Sequence, residues 1–223
     1  RILADENVLA SYHVMSRTTG GDFLLSESED KEGLRKLIWK MAEFLFIRVQ
    51  TYCIMDNHFH VLVQQPCKHK VLKAFLPQDG AVIPEVEEEI DPNGAATRLV
   101  DLAVWEHRLL KHLESFYSKQ YIYKLTEEIK LMRSMGQEDQ IDEMLGRYRS
   151  RFGSVQHFMK EVKERYSRWY NKKYGRRGTL WMDRFKSVLV EDAGAKIMMA
   201  AYIDLNPVRA GLVKDPKDYR WCG

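Results

Sequence analysis

The chain has 223 residues, 45% of them hydrophobic and 30% charged, with a formal net charge of +3; such values exclude collagen-like, disulfide-stapled and wholly disordered classes. Its length is about one and a half times a typical domain, which predicts one domain carrying a large insertion. Cys53, Cys67 and Cys222 form no CxxC pair and no apolar run is long enough to span a bilayer, so a protein of the reducing cytoplasm with no membrane partner is expected.

Taken in chain order, Leu9 to Arg17 reads as a strand. Tyr12, Val14 and Ser16 fall on one face and Ser11, His13, Met15 and Arg17 on the other. After a polar segment, Leu34, Leu37, Ile38, Met41 and Leu45 recur at helical spacing and predict a helix from about Lys31 to Phe46. Ile47 to Met55 and His58 to Gln64 are β-rich runs separated by Asp56-Asn57, the pattern of a tight hairpin. Pro66 to Gly94 holds four of the six prolines and an acidic cluster, Glu85 with Glu87 to Glu89, and is expected to be loop. Residues 95 to 148 return to helical periodicity, so an insertion of about 67–150, mainly helical, is expected. A helix from Val155 to about Tyr170, a basic turn from Asn171 to Gly178, a strand near Phe185 to Val190 and a helix from Asp192 to Asn206 complete the order. Asp192 suits its N-cap and Pro207 its stop. Without the insertion the order is β-α-β-β-α-β, which predicts an α+β, ferredoxin-like antiparallel sheet with an extra C-terminal helix.

The net charge conceals an asymmetry. Between Leu145 and Val190 there are 13 Lys and Arg against Glu161, Glu164 and Asp183, a local charge of +10 that leaves the remainder near −7. Clustered cations of this kind suit a polyanion, although a solvated helix face gives the same count. Within the cluster, Arg165 to Gly178 interleaves cations with Tyr and Trp and is followed by Trp181 and Arg184, the combination that tracks a phosphate backbone and stacks unpaired bases.

Two further patterns carry chemistry. His58 and His60 are alternate residues at a strand start, so both imidazoles share one face and could ligate a single divalent metal, while Phe59, Val61 and Val63 face the core. Tyr202 and Asn206 stand one helical turn apart. A tyrosine can attack a phosphodiester if the developing charge is stabilised, and an amide oxygen can add a ligand. Equally, Met198, Ala201, Tyr202 and Leu205 form an apolar stripe at helical spacing, which would make Tyr202 a core residue.

Together these segments resemble the HUH single-tyrosine transposases, in their REP-associated, IS200-like branch. The resembling residues are Tyr12-His13-Val14 with Arg17, Met55-Asp56-Asn57-His58-Phe59-His60-Val61-Leu62-Val63, Gly178-Thr179-Leu180-Trp181 with Arg184-Phe185-Lys186-Ser187, and Tyr202 to Val213. The resemblance implies a single transposase domain over residues 1–223. Tyr202 is then the nucleophile, and His58, His60 and Asn206 face a magnesium or manganese ion. It implies nicking of single-stranded DNA beside an imperfect hairpin through a 5′-phosphotyrosine link, in the cytoplasm on nucleoid DNA. Arg17, Arg168, Lys172, Lys173, Arg176, Arg177, Arg184 and Lys186 are the expected DNA contacts, with monomer and homodimer both open. Asp56-Asn57 stands where some members have Pro with Glu or Asn, and Tyr170 and Tyr174 are rival nucleophiles. Two other classes compete: a catalytically inactive, domesticated hairpin-binding regulator, and a phosphohydrolase that uses the histidines without Tyr202. The absence of a P-loop signature fits chemistry that stores the phosphodiester energy in a covalent link.

Overall fold

Alternation in the first strand and the paired runs around Asp56-Asn57 produce the centre of the fold. β1 (Ala10–Arg17) lies between β3 (His58–Gln65) and β4 (Lys186–Val190), and β3 pairs in turn with β2 (Arg48–Ile54). All pairings are antiparallel and the order is β2-β3-β1-β4, the α+β, ferredoxin-like sheet that the element order predicts. The structure, a computed structural model, describes residues 8–73, 75 and 95–223, with 95–103 described by backbone alone. The chain divides into two compact units, Arg1–Lys68 with Gly153–Gly223, and His69–Phe152.

In the first unit, one sheet face carries Tyr12, Val14, Phe59, Val61 and Val63, all buried. α1 (Ser28–Phe44) and α6 (Val155–Lys173) supply Leu34, Ile38 and Met41, and Phe158, Val162 and Tyr166, to the same core. Burial of this apolar area is the main drive to fold here. α6 starts at Ser154, whose hydroxyl accepts from the His157 N–H, and runs past Tyr170 to Lys173, so the expected basic turn begins one helical turn later. Tyr166 donates to the Asp30 carbonyl, and the buried Asp30 carboxylate accepts from Lys173 Nζ at 2.7 Å and Tyr174 Oη at 2.8 Å. The basic end of α6 is therefore tied to the first turn of α1.

The opposite face is covered by α7 (Ala193–Asp204), capped by Asp192, whose carboxylate accepts from the Ala195 N–H. Ile203 is fully buried against Cys53, Met55, Leu62 and Val190, with Met199 and Ala200 packed alongside. Thr51 donates to Asp204 at 2.7 Å and pins the end of the helix to β2. The expected single helix to Asn206 is in fact two. α7 ends at Asp204, and α8 (Asn206–Arg209) starts afresh, because a proline inside its first turn has no N–H to give the preceding helix. Beyond it, the tail pairs with the outer edge of β2: Tyr52 and Gly223 exchange N–H···O bonds, and Ile54 N–H donates to the Trp221 carbonyl.

In the second unit, α2 (Lys68–Lys73) replaces the start of the loop expected from Pro66, and α3 (Ala95–Glu114), α4 (Lys119–Ser134) and α5 (Glu138–Arg149) follow. Leu109, Leu113, Ile122, Leu125, Ile129, Ile141 and Leu145 form its core. Arg133 ties α4 to Glu106 and Glu138. The acidic cluster at residues 85–89 lies outside the described residues.

Candidate active site

β1 and β3 pair so that Met15 faces His60 and Arg17 faces His58. Because alternate residues share a face, His13, Met15, Arg17, His58 and His60 all project to the side that α7 covers. The His58 and His60 rings stand 5.0 Å apart between centroids and nearly perpendicular. His13 stacks on His60 at 5.0 Å, its Nε2 2.8 Å from His60 Nδ1. His58 Nδ1 lies 2.7 Å from Asn57 Oδ1.

α7 brings Tyr202 over this group, its ring edge-on at 6.0 Å from His60 and 6.1 Å from His13. The apolar-stripe reading fails: Met198 is 74% exposed, Leu205 44% and Tyr202 39%. The buried side of the helix is instead the line through Met199, Ala200 and Ile203. The Arg209 guanidinium lies over the Tyr202 ring at 5.1 Å, a cation–π contact that also places positive charge at the nucleophile candidate. Asn206 Nδ2 donates to the carbonyls of Tyr202 and Ile203 at 2.9 and 3.2 Å. Its amide therefore closes the open end of α7, with the nitrogen rather than the oxygen turned into the helix.

Burial pushes His60 down to about 3, with the neighbouring His13, His58 and Arg17 adding to the effect, and lowers His13 as well. His58 is lowered by burial and Arg17, against an opposing contribution from Asp56. All three rings are thus neutral at pH 7 and keep a nitrogen lone pair, the form in which imidazole binds a metal. Among the described residues no group of three or more His, Cys, Asp and Glu side chains could hold a metal ion. The two-histidine donor set on one face fits a cation whose remaining positions are taken by amide, water or phosphate oxygen.

The rival tyrosines are occupied elsewhere. Tyr174 donates to Asp30, and Tyr170 is buried on α6, where burial raises its phenol. Of the eight expected DNA contacts, Lys173 is turned to Asp30 and Glu29, and Arg176 lies over the Tyr170 ring. Arg17, Lys172, Arg177, Arg184 and Lys186 are exposed, and Arg168 borders a groove of about 660 Å³. That groove, between α6 and residues 178–184, is lined by Lys163, Ser167, Asn171, Trp181 and Arg184 among others. Trp181 forms its floor, donating to the Lys163 carbonyl and packing on Phe59 and Tyr166.

The family model described as "Transposase IS200 like" matches residues 7–76 and 103–206, well over half of the sequence. The chain belongs to the IS200-like transposase family. Transposases of this family are generally metal-dependent. No match was found among curated proteins. Among solved structures, the chain is similar to a REP-associated tyrosine transposase bound to a REP hairpin, with 12% identity over all of this chain and 81% of that one and a TM-score of 0.46. His13, Asn57 and Arg209 fall within the matching motifs, but motif reading assigns them no role at the candidate site: His13 beside His60, Asn57 as a partner of His58 and Arg209 over Tyr202. Alternation already puts His13 on the face of Arg17, but only the register of β1 against β3 shows that this is the histidine face.

Proposed function

We propose that the protein is a metal-dependent single-strand DNA endonuclease and strand transferase that cuts beside a hairpin through a 5′-phosphotyrosine intermediate on Tyr202. The observation that carries this reading is Tyr202, partly open to solvent, standing edge-on at about 6 Å over the neutral His13 and His60 pair. His58 and His60 would hold magnesium or manganese, with Asn206 Oδ1 as a further oxygen donor. When bound, the ion neutralises charge on the scissile phosphate. The Tyr202 oxygen bonds to phosphorus as the bond from phosphorus to the 3′ oxygen breaks. The phenol proton passes to solvent and the departing oxygen takes one up, leaving a free 3′-hydroxyl. Attack by that hydroxyl, or by another, reverses the link without ATP.

Arg17, Arg168, Lys172, Arg177, Arg184 and Lys186 would meet the phosphates of the strand and the hairpin along the groove beside α6, whose floor the buried Trp181 holds in shape. Lys173 and Arg176 would serve the same end by holding the basic turn in place. In this reading the first unit does the chemistry, and residues 67–150 are an insertion within one transposase domain working on nucleoid DNA in the cytoplasm.

The test is incubation with a hairpin-bearing oligonucleotide and manganese, followed by denaturing electrophoresis. Wild type should give a covalent protein–DNA adduct and Tyr202→Phe none; an adduct that survives in Tyr202→Phe removes the nucleophile assignment. Salt-sensitive binding with no adduct would identify the inactive regulator, and release of a free 5′-phosphate the phosphohydrolase.

A further inference from the structure

Two hydrogen bonds reach the paired histidines from separate elements, and both end on Nδ1. At His58 the partner is Asn57 Oδ1, and a third bond decides the roles. Asn57 Nδ2 donates to the Gly21 carbonyl at 2.9 Å, so the amide oxygen is the atom facing the ring and His58 Nδ1 must carry the proton. The loop that presents this carbonyl is itself fixed. Thr18 N–H donates to the Asn57 carbonyl at 2.9 Å, and its hydroxyl lies 2.6 Å from the Asp22 carbonyl and 2.9 Å from that of Asn57, with one proton to give. Gly21 has φ +74°, a conformation that side-chain-bearing residues rarely adopt. At His60 the partner is His13 Nε2, on a ring stacked at 15° to it from the neighbouring strand.

We propose that Asn57 and His13 are positioning residues that hold His58 and His60 in the Nδ1–H tautomer, so that both rings present the Nε2 lone pair to the same cation. The inference rests on the metal-dependent reading above. An imidazole with no partner at Nδ1 exchanges between tautomers and spends part of its time with a proton on Nε2, where it cannot ligate. A fixed acceptor at Nδ1 removes that state and also fixes the rotation of the ring. For His13 to accept, it must be protonated on its own Nδ1, which makes it a neutral link in the chain rather than a third ligand.

The full chain, labelled with ¹⁵N-histidine and free of metal, should show long-range ¹H–¹⁵N correlations of the Nδ1–H tautomer at both His58 and His60. Asn57→Ala should shift His58 alone toward Nε2–H and His13→Phe should shift His60 alone. Each should weaken Mn²⁺ binding, read by electron paramagnetic resonance, about 10- to 100-fold. His13→Gln, which restores an acceptor, should recover most of that loss. An Nε2–H tautomer at either ring in wild type overturns the proposal, as does undiminished Mn²⁺ affinity in folded Asn57→Ala and His13→Phe. If His13→Phe does not fold, Asn57→Ala decides. A wild type with both Nδ1–H tautomers and no Mn²⁺ binding sinks the metal reading, while the hydrogen-bond assignment stands.

Discussion

His60 is 3% exposed, and burial pushes its proton affinity from the ordinary 6.5 down to about 3. The unfolded chain takes up a proton there near pH 6.5, whereas the folded chain resists until about pH 3. Stability that is fully present above pH 6.5 is therefore lost progressively as the pH falls through that window. His13 and His58, lowered in the same direction, add to the slope. Denaturant titrations between pH 7 and 3 should show this decline in wild type and a flatter one in His60→Gln. Parallel profiles would mean that the ring is more hydrated than its burial indicates. Metal competes with protons for the same lone pairs, so manganese affinity should fall with pH alongside stability.

At the scale of elements, the join between α1 and the basic end of α6 passes through one carboxylate. Asp30 is 1% exposed and accepts from Lys173 and Tyr174. Removing it in Asp30→Ala takes the acceptor from Tyr174 and leaves Lys173 with Glu29 alone, which should lower the unfolding midpoint. It also frees the turn that carries Lys172, Arg176 and Arg177. Hairpin affinity should drop even though no phosphate contact has been deleted, and the two losses should be separable by comparing the unfolding midpoint with an electrophoretic mobility titration. Unchanged stability would show that Lys173 and Tyr174 find other partners. α7 depends on a different device: one face is held by Ile203 and the Thr51–Asp204 bond, and the other is left to Met198 and Tyr202.

Over the whole molecule, the phosphate contacts should act as a sum. Each of Arg168 and Arg184 removed by substitution to Ala should reduce the slope of log affinity against log salt by about 0.7 on single strands and about 0.9 on the hairpin stem. A slope that does not move would place the DNA elsewhere. The sheet was legible in the sequence because the first strand alternates and Asp56-Asn57 marks the turn between the next two, and the histidine pair because alternate residues of a strand share a face. Two things were not legible. The exposed side of α7 has the same helical spacing as a core stripe, and periodicity alone cannot say which of two apolar lines meets the sheet. Nor could it place His13 beside His60, or turn Lys173 inward to Asp30, because these depend on register and packing between segments far apart in the chain.

The short pairing of Trp221 to Gly223 with β2 has a consequence for handling the protein. β2 is a terminal strand of the sheet, and those three residues occupy the row of amides and carbonyls that would otherwise be free to recruit a strand from another molecule. Deleting residues 221–223 should open that edge while leaving Tyr219 packed beside Ile203. The visible result should be concentration-dependent self-association in analytical ultracentrifugation, absent from the longer chain, and a truncated protein that stays monodisperse would show that β2 guards its own edge.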